Sequence, residues 1–252
     1  MKKLILLLSL TISLTSAYSQ KLDKKFQPLV TAFINCIKNK QVEKLSTKIN
    51  YPLNRAYPIP PIKNKAEFLK RYKEVFDDEL SQKISSSKPL TDWDDVGWRG
   101  IMLLNGDVWL DYDGKLLTVT DKSAFEAKER ARLIALEKTT LHPSINDFAN
   151  PVLIFETAKY RIRIDDLGKM RYRYTSWPIK NKMSDKPALI IKNGNWTPEG
   201  SGGNHNYQFK SGDYLYTCYI TVMGEKGAAP ATLVITRSGK EILSQDAKRM
   251  TP

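Results

Sequence analysis

Four arginines are the residues of this chain whose type and spacing are best suited to chemistry. Arg161 and Arg163 alternate with isoleucines, and Arg171 and Arg173 alternate with tyrosines a few residues later. Alternate residues of a strand share one face, so two adjoining strands would gather all four guanidinium groups. A guanidinium is planar and donates paired hydrogen bonds to a carboxylate or a phosphate. The pattern therefore predicts a binding surface for an anionic group.

The register of this hairpin decides which charges meet. We predict that Ile164 pairs with Met170, which sets Arg163 opposite Arg171 and sets the other two arginines opposite one another. Like charges directly opposite each other are unfavourable in a sheet, so this face needs either an anionic partner or acidic neighbours within the chain. The charged helix before the sheet offers three carboxylates for the second alternative: Glu126, Glu129 and Glu137.

A glycine-rich loop, GSGGNHNY at residues 200–207, is the second candidate binding site. Successive backbone N–H groups in such a loop can hold an anion. The alternative is a flexible turn between strands, because glycine and asparagine are common turn residues. The loop also lacks the GKS or GKT ending of a phosphate-binding loop. The residues of this predicted site are Ser201, Asn204, His205 and Tyr207.

The sequence contains no recognisable catalytic or metal-binding constellation. The two histidines, His142 and His205, and the two cysteines, Cys36 and Cys218, do not have the spacing of zinc ligands. Both cysteines lie in apolar patterns, which predicts small buried side chains. We therefore predict no catalytic residue, no metal and no cofactor.

The elements that must position the arginines have the pattern of strands. From residue 150 onward the apolar residues recur with period two, which predicts a small all-β antiparallel barrel or sandwich over residues 150–252. The predicted turns are Asn193-Gly194, Ser211-Gly212 and Ser238-Gly239. The predicted strands after the arginine hairpin are 189–192, 205–210, 213–223, 231–237 and 240–245.

Residues 21–121 combine helices with a short hairpin pattern, so the fold class is α+β. Apolar residues recur every three or four positions up to Ile37, and again in one helix that Asn64 caps and that continues to about Ser85. Asn105-Gly106 and Asp113-Gly114 predict two-residue type I′ turns between strands. Residues 122–149 hold a charged helix, which we interpret as a linker between two domains.

The first of these domains resembles a known fold. Two amphipathic helices, YPL at residues 51–53, a further helix and GWRGIMLLNGDVW at residues 97–109 resemble exported bacterial domains of the nuclear-transport-factor-2-like fold. The resemblance covers residues 22 to 120 and implies a cone of helices packed into a bent antiparallel sheet. That fold hosts isomerases, dehydratases and non-catalytic binding modules. Its enzymes place an Asp/His or Asp/Tyr set inside the cone.

The C-terminal domain is faintly similar to bacterial lysozyme inhibitors. Those proteins carry a Ser-Gly-x-x-Tyr loop that enters an enzyme cleft. Here Tyr207 follows Ser201-Gly202 two residues later than that pattern requires.

The N-terminus predicts export. Residues 1–20 have a lysine pair, a short apolar run and small residues before a cut after Ser19, as a secretory signal peptide has. No other stretch approaches the roughly 20 apolar residues of a membrane span. The full sequence has a net charge of +13, and removal of Lys2 and Lys3 with the signal peptide leaves +11, since 13 − 2 = 11. A periplasmic or extracellular protein of this charge is suited to a protein or an anionic polymer of the cell envelope. We expect no nucleic-acid partner.

These observations favour an exported, non-enzymatic binding protein, and two alternatives stay open. One is an inhibitor or immunity protein for a secreted or cell-wall-active enzyme. The other is a small-molecule enzyme, of the isomerase or dehydratase kind, that uses the cone of the first domain. A wide pocket with a paired acid and base inside the cone would favour the enzyme, and an interior filled by aromatic rings would favour the binding protein.

Overall fold

The computed structural model of this protein describes residues 20–200 and 202–251. The predicted signal peptide up to Ser19, and Ser201 of the glycine-rich loop, lie outside the described residues. The prediction of a mixed helix-and-sheet protein is confirmed. The described chain forms two compact units. Among the described residues, the first unit holds those up to Leu53 together with Lys63–Ser123, and the second holds Asn54–Ile62 together with those from Ala124 onward.

The helices of the first unit are α1 (Gln27–Lys38), α2 (Val42–Ser46), α3 (Lys65–Val75), α4 (Asp78–Ser86) and α5 (Pro89–Asp92). Asn64 caps α3 as predicted, with its side chain accepting the N–H of Glu67 at 3.0 Å. The prediction of a single helix that continues to about Ser85 is wrong, because two helices, α3 and α4, span this region. The carboxylate of Asp77 accepts the N–H of Leu80 at 2.9 Å and starts a new helix, because an aspartate with extended backbone is a strong N-cap.

The sheet of the first unit is antiparallel and has the strand order β1-β2-β3-β4-β5. Its strands are β1 (Gln20–Lys21), β2 (Trp93–Asp95), β3 (Ile101–Leu103), β4 (Val108–Leu110) and β5 (Leu116–Val119). The predicted hairpins are present, but the predicted two-residue turns are wrong. A 3₁₀ turn spans Leu104–Gly106. The next loop is longer because the carboxylate of Asp111 accepts the N–H groups of Asp113 and Lys115 at 3.0 and 2.8 Å.

The interior of the first unit contains two groups of packed aromatic rings. Phe33 of α1 meets Trp93 of β2 edge to face, with ring centroids 6.0 Å apart. Phe68, Tyr72 and Phe76 form a second group, in which Tyr72 and Phe76 stack at 5.4 Å. All five side chains are buried.

The second unit is built on one nine-stranded antiparallel sheet and one long helix, α6 (Ala124–Thr140), which the sequence analysis interpreted as a linker. The strand order is β13-β12-β11-β10-β9-β8-β7-β6-β14. The strands are β6 (Asn150–Glu156), β7 (Tyr160–Asp166), β8 (Tyr172–Pro178), β9 (Leu189–Pro198), β10 (His205–Ser211), β11 (Tyr214–Ile220), β12 (Ala231–Arg237), β13 (Lys240–Asp246) and β14 (Arg249–Thr251).

The sheet curls on itself. Ala247 donates its N–H to Ala231 of β12 at 2.8 Å, and the next residue, Lys248, donates to Glu156 of β6 at 2.7 Å. Two neighbouring residues thus bond to strands that are six places apart in the strand order. The predicted turn at Asn193-Gly194 is wrong, because β9 runs through it.

The two faces of this sheet have separate cores. The inner face buries apolar side chains from seven strands, β6 to β12, including Phe155, Ile164, Tyr174, Phe209 and Cys218. On the outer face a smaller core joins Ile134 of α6 to Trp177 of β8. In the part of the chain that the structure describes, no helix is long and apolar enough to cross a membrane.

Candidate functional site

The arginine hairpin has a different register from the predicted one. Ile164 pairs with Tyr174, not with Met170, so Asp165 lies opposite Arg173 and Arg163 lies opposite Thr175. The observed register is favourable because it sets a carboxylate, instead of a second cation, across from an arginine.

Two of the four arginines belong to a buried ion-pair network. Arg163 donates through Nε to Asp165 at 2.7 Å and through Nη1 to Glu137 of α6 at 2.5 Å. Arg173 donates through Nη2 to the other oxygen of Asp165 at 2.6 Å. Asp165 and Arg163 are 0% exposed and Arg173 is 2% exposed. One of the three glutamates proposed as intramolecular partners therefore neutralises this face.

Tyr57, from the segment Asn54–Ile62 of the second unit, completes the network. The Tyr57 hydroxyl donates to Glu137 at 3.0 Å, although the two residues are 80 positions apart in the chain. Burial, followed by the nearby Glu137 carboxylate, raises the pKa of Tyr57. Burial alone would lower the pKa of Arg163, but Asp165 and Glu137 outweigh it and the net shift is upward. Tyrosine and arginine therefore both keep their protons in the folded protein.

The remaining two arginines differ from each other. Arg161 is half-buried and pairs with Glu156 at 2.8 Å, and it also donates to the carbonyl of Asn181. Arg171 is exposed and makes one long hydrogen bond, 3.4 Å, to the carbonyl of Gly168. Of the four arginines, Arg171 is thus the exposed one and the one with the fewest hydrogen bonds.

Arg171 and Arg173 line one polar cavity of about 450 Å³, which we call the basic cleft. Lys192 lines the same cavity, has an exposed side chain and has no ion-pair partner among the described residues. Asp147 is the one carboxylate in the lining, against three cationic side chains, of which Arg173 is already paired with the buried Asp165. The full lining is Ser144, Asp147, Phe148, Ala149, Leu167, Arg171, Arg173, Lys192 and Asn193.

Two backbone irregularities shape the basic cleft. The register between β8 and β9 shifts beside Arg173, so that Lys192 and Asn193 form a bulge, and Asn193 has a φ of 63°. In the turn before Arg171, Lys169 and Met170 have φ of 56° and 57°. Bulges re-aim side chains, and non-glycine residues with left-handed backbone concentrate at functional sites. Both irregularities lie next to a cation of the cleft.

The cations of the cleft have different roles. Arg173 is fixed, because it also donates to the carbonyls of Ile145 and Asp147 at 2.5 and 3.0 Å. Its Nε atom is buried and has no hydrogen-bond partner in the described chain. Arg171 and Lys192 are exposed and can adjust to a ligand. A fixed charge with two adjustable ones is an arrangement suited to a carboxylate or phosphate.

The glycine-rich loop is tied down by its own side chains. The Asn204 carbonyl oxygen accepts the N–H groups of Val222 and Met223, both at 2.8 Å, and its amide donates to the carbonyl of Met223 at 2.9 Å. His205 bonds through Nδ1 with the carbonyl of Gly203 at 2.9 Å. These contacts connect two neighbouring loops of the sheet.

The predicted loop site does not join the arginine site. His205 lies between the rings of Trp196 and Tyr207, with centroid distances of 5.8 and 5.4 Å. Tyr207 is buried in the inner core, which the basic cleft does not share. The described residues of the loop therefore act as a structural connection, and none of them lines the basic cleft.

Neither metal ligands nor a disulfide are found among the described residues. No group of three or more histidine, cysteine, aspartate or glutamate side chains is placed to hold a metal ion there. Cys36 and Cys218 are both free and buried, as the apolar patterns predict. Burial raises the pKa of the Cys218 thiol.

Of the nine residues that line the basic cleft, two, Arg171 and Arg173, were singled out from the sequence as binding residues, and the other seven were missed. Lys192 and Asn193 were assigned to a strand end and a turn, and Asp147 and Phe148 to a linker. The available signal was Asn193-Gly194, because asparagine before glycine tolerates the left-handed conformation of a bulge as well as that of a hairpin turn. Comparisons of the chain with models of protein families, with curated proteins and with solved structures gave no match.

Proposed function

We propose that this chain is an exported, non-enzymatic binding protein that holds an anionic group of a cell-envelope partner in the basic cleft. The observation that carries the proposal is the cavity of about 450 Å³ between Arg171, Arg173 and Lys192. Carboxylates and phosphates are the anionic groups that such a set recognises.

The net charge supports the proposal, because the chain without Lys2 and Lys3 still carries +11 (13 − 2) and a basic surface draws anionic partners toward the cleft. The packed aromatic rings of the first unit also support it, since Phe33 and Trp93 are fully buried against each other, whereas an enzyme of the nuclear-transport-factor-2-like fold would need an open pocket with an acid and a base. We further propose that the first unit has that fold, on the basis of helices packed with a five-stranded antiparallel sheet. The curled sheet of the second unit is consistent with an incomplete barrel.

The test of the binding role uses the mature protein and isolated cell envelopes. The fraction that sediments with the envelopes is measured for the wild type and for a double variant, Arg171→Gln with Lys192→Gln. A matched double variant, Lys210→Gln with Lys240→Gln, removes the same charge from exposed positions outside the cleft. We expect the cleft variant to lose about tenfold in apparent affinity and the matched variant to lose little. Equal losses would show a general charge effect and would refute the cleft.

Export has a separate test. Mass spectrometry of the protein from the periplasm or the medium is expected to find a chain that begins at Gln20 or close to it. Recovery of the chain with Met1 intact would contradict the signal peptide and would leave the proposal for the basic cleft unaffected.

A further inference from the structure

One edge of the curled sheet is a short strand with an open side. β14, Arg249–Thr251, pairs with β6 and with no other strand of the described chain. In an antiparallel pair every second residue directs its N–H and C=O away from the partner strand. An edge strand of this kind is a template for another extended segment.

An apolar cavity of about 430 Å³ lies beside this strand. Met250 and Thr251 of β14 contribute to its lining, and the rest of the lining comes from the segment Asn54–Pro61. We call this cavity the edge groove. Pro58, Pro60 and Pro61 carry no backbone N–H, so the facing wall has few donors with which to pair β14 itself.

We propose that the edge groove binds an extended, acidic polypeptide segment of a partner protein as an added strand beside β14. The backbone of such a segment would pair with β14, and every second side chain would enter the apolar groove. This site shares no lining residue with the basic cleft and does not rest on it.

The charges around β14 select the acidic character of the segment. Lys248 and Arg249 carry exposed side chains at the start of the strand. A segment in which apolar residues alternate with carboxylates would place the apolar residues in the groove and the carboxylates near these two cations. A basic segment would be repelled by them.

The test uses a short synthetic peptide in which valine alternates with glutamate, titrated into the mature protein. One control peptide has N-methyl groups on alternate amides, which removes its strand hydrogen bonds, and a second replaces glutamate by lysine. In the protein, Thr251→Trp fills the groove from an exposed position, and Thr251→Ser leaves it open.

We expect the valine–glutamate peptide to bind and to slow hydrogen exchange of amides in β14. Neither control peptide should bind, and Thr251→Trp should weaken binding by about tenfold while Thr251→Ser leaves it nearly unchanged. Binding should also persist in the Arg171→Gln, Lys192→Gln variant, which separates this site from the basic cleft. Four results would each overturn the proposal. The valine–glutamate peptide does not bind, or it slows hydrogen exchange in β13 instead of β14. Alternatively, the N-methylated peptide binds as well as the unmodified one, or the protein associates with itself through β14 in place of binding the peptide.

Discussion

Replacing Arg163 by alanine is the most informative perturbation of the ion-pair network. Its guanidinium is 0% exposed and bonds to Asp165 at 2.7 Å and to Glu137 at 2.5 Å. The substitution leaves two carboxylates with one cationic partner fewer in a dry environment. Removing one partner of a buried ion pair typically destabilises by about 3–5 kcal/mol.

The contacts that remain after the Arg163→Ala substitution decide where in this range the loss of stability falls. Asp165 keeps Arg173 at 2.6 Å, and Glu137 keeps the Tyr57 hydroxyl at 3.0 Å. Neither carboxylate is left without a donor, so we expect a loss near the lower limit, about 3 kcal/mol. Arg171→Ala is the matched control, because this arginine is exposed and its loss should cost no more than about 0.5 kcal/mol.

Native-state hydrogen exchange of the β7 amides is the appropriate assay, because it reports the opening free energy of that strand without assuming that two units unfold together. The Arg163→Ala effect should shrink by about 1 kcal/mol in a Glu137→Gln background, since the two side chains are coupled. A loss below about 1 kcal/mol for Arg163→Ala, or full additivity with Glu137→Gln, would refute the network as a stabilising device.

Three further outcomes follow from the second unit. Burial raises the pKa of Tyr174 and Tyr207 above the ordinary 10.0. Their contribution to the stability of the fold is therefore complete below pH 10.0 and is lost as the pH rises through the raised pKa values. An ultraviolet titration should find that both tyrosines ionise together with alkaline unfolding. The Cys218 thiol is 0% exposed and has a raised pKa, so a thiol reagent should label it only when denaturant is present, and rapid labelling of the folded protein would contradict its burial. A Cβ at Gly194 would lie 2.1 Å from the Phe209 ring, so Gly194→Ala should destabilise by about 1–3 kcal/mol, whereas an unchanged thermal midpoint would contradict this packing.

The alternation of residue types was sufficient to predict which side chains share a face. Arg163 and Arg173 do lie on one face of the sheet, opposite the face that buries Ile164 and Tyr174. The register was not predictable, because it depends on a turn in which Lys169 and Met170 adopt left-handed backbone. Pattern alone gives no reason to expect that conformation in either residue.

The sequence was sufficient to predict that a helix glutamate could pair with the arginines, but not which glutamate would pair with Arg163. Glu137 was one of three helix carboxylates that the sequence offered, and only the packing of α6 on the sheet selects it. The contact of Tyr57 with Glu137 could not be predicted, because the two residues are 80 positions apart and contacts that distant in sequence leave no local pattern. The bulge at Lys192-Asn193 was not predicted, because the dipeptide Asn193-Gly194 is equally typical of a hairpin turn.

The most direct measurement of the central claim is a titration of the isotope-labelled mature protein with inorganic phosphate, followed by nuclear magnetic resonance. We expect the backbone amides of Arg171, Lys192 and Asn193 and the guanidinium N–H groups of Arg173 to shift together along one saturating curve, because these four residues line the basic cleft. Shifts that never saturate, or that spread over exposed lysines outside the cleft and spare these groups, would contradict it.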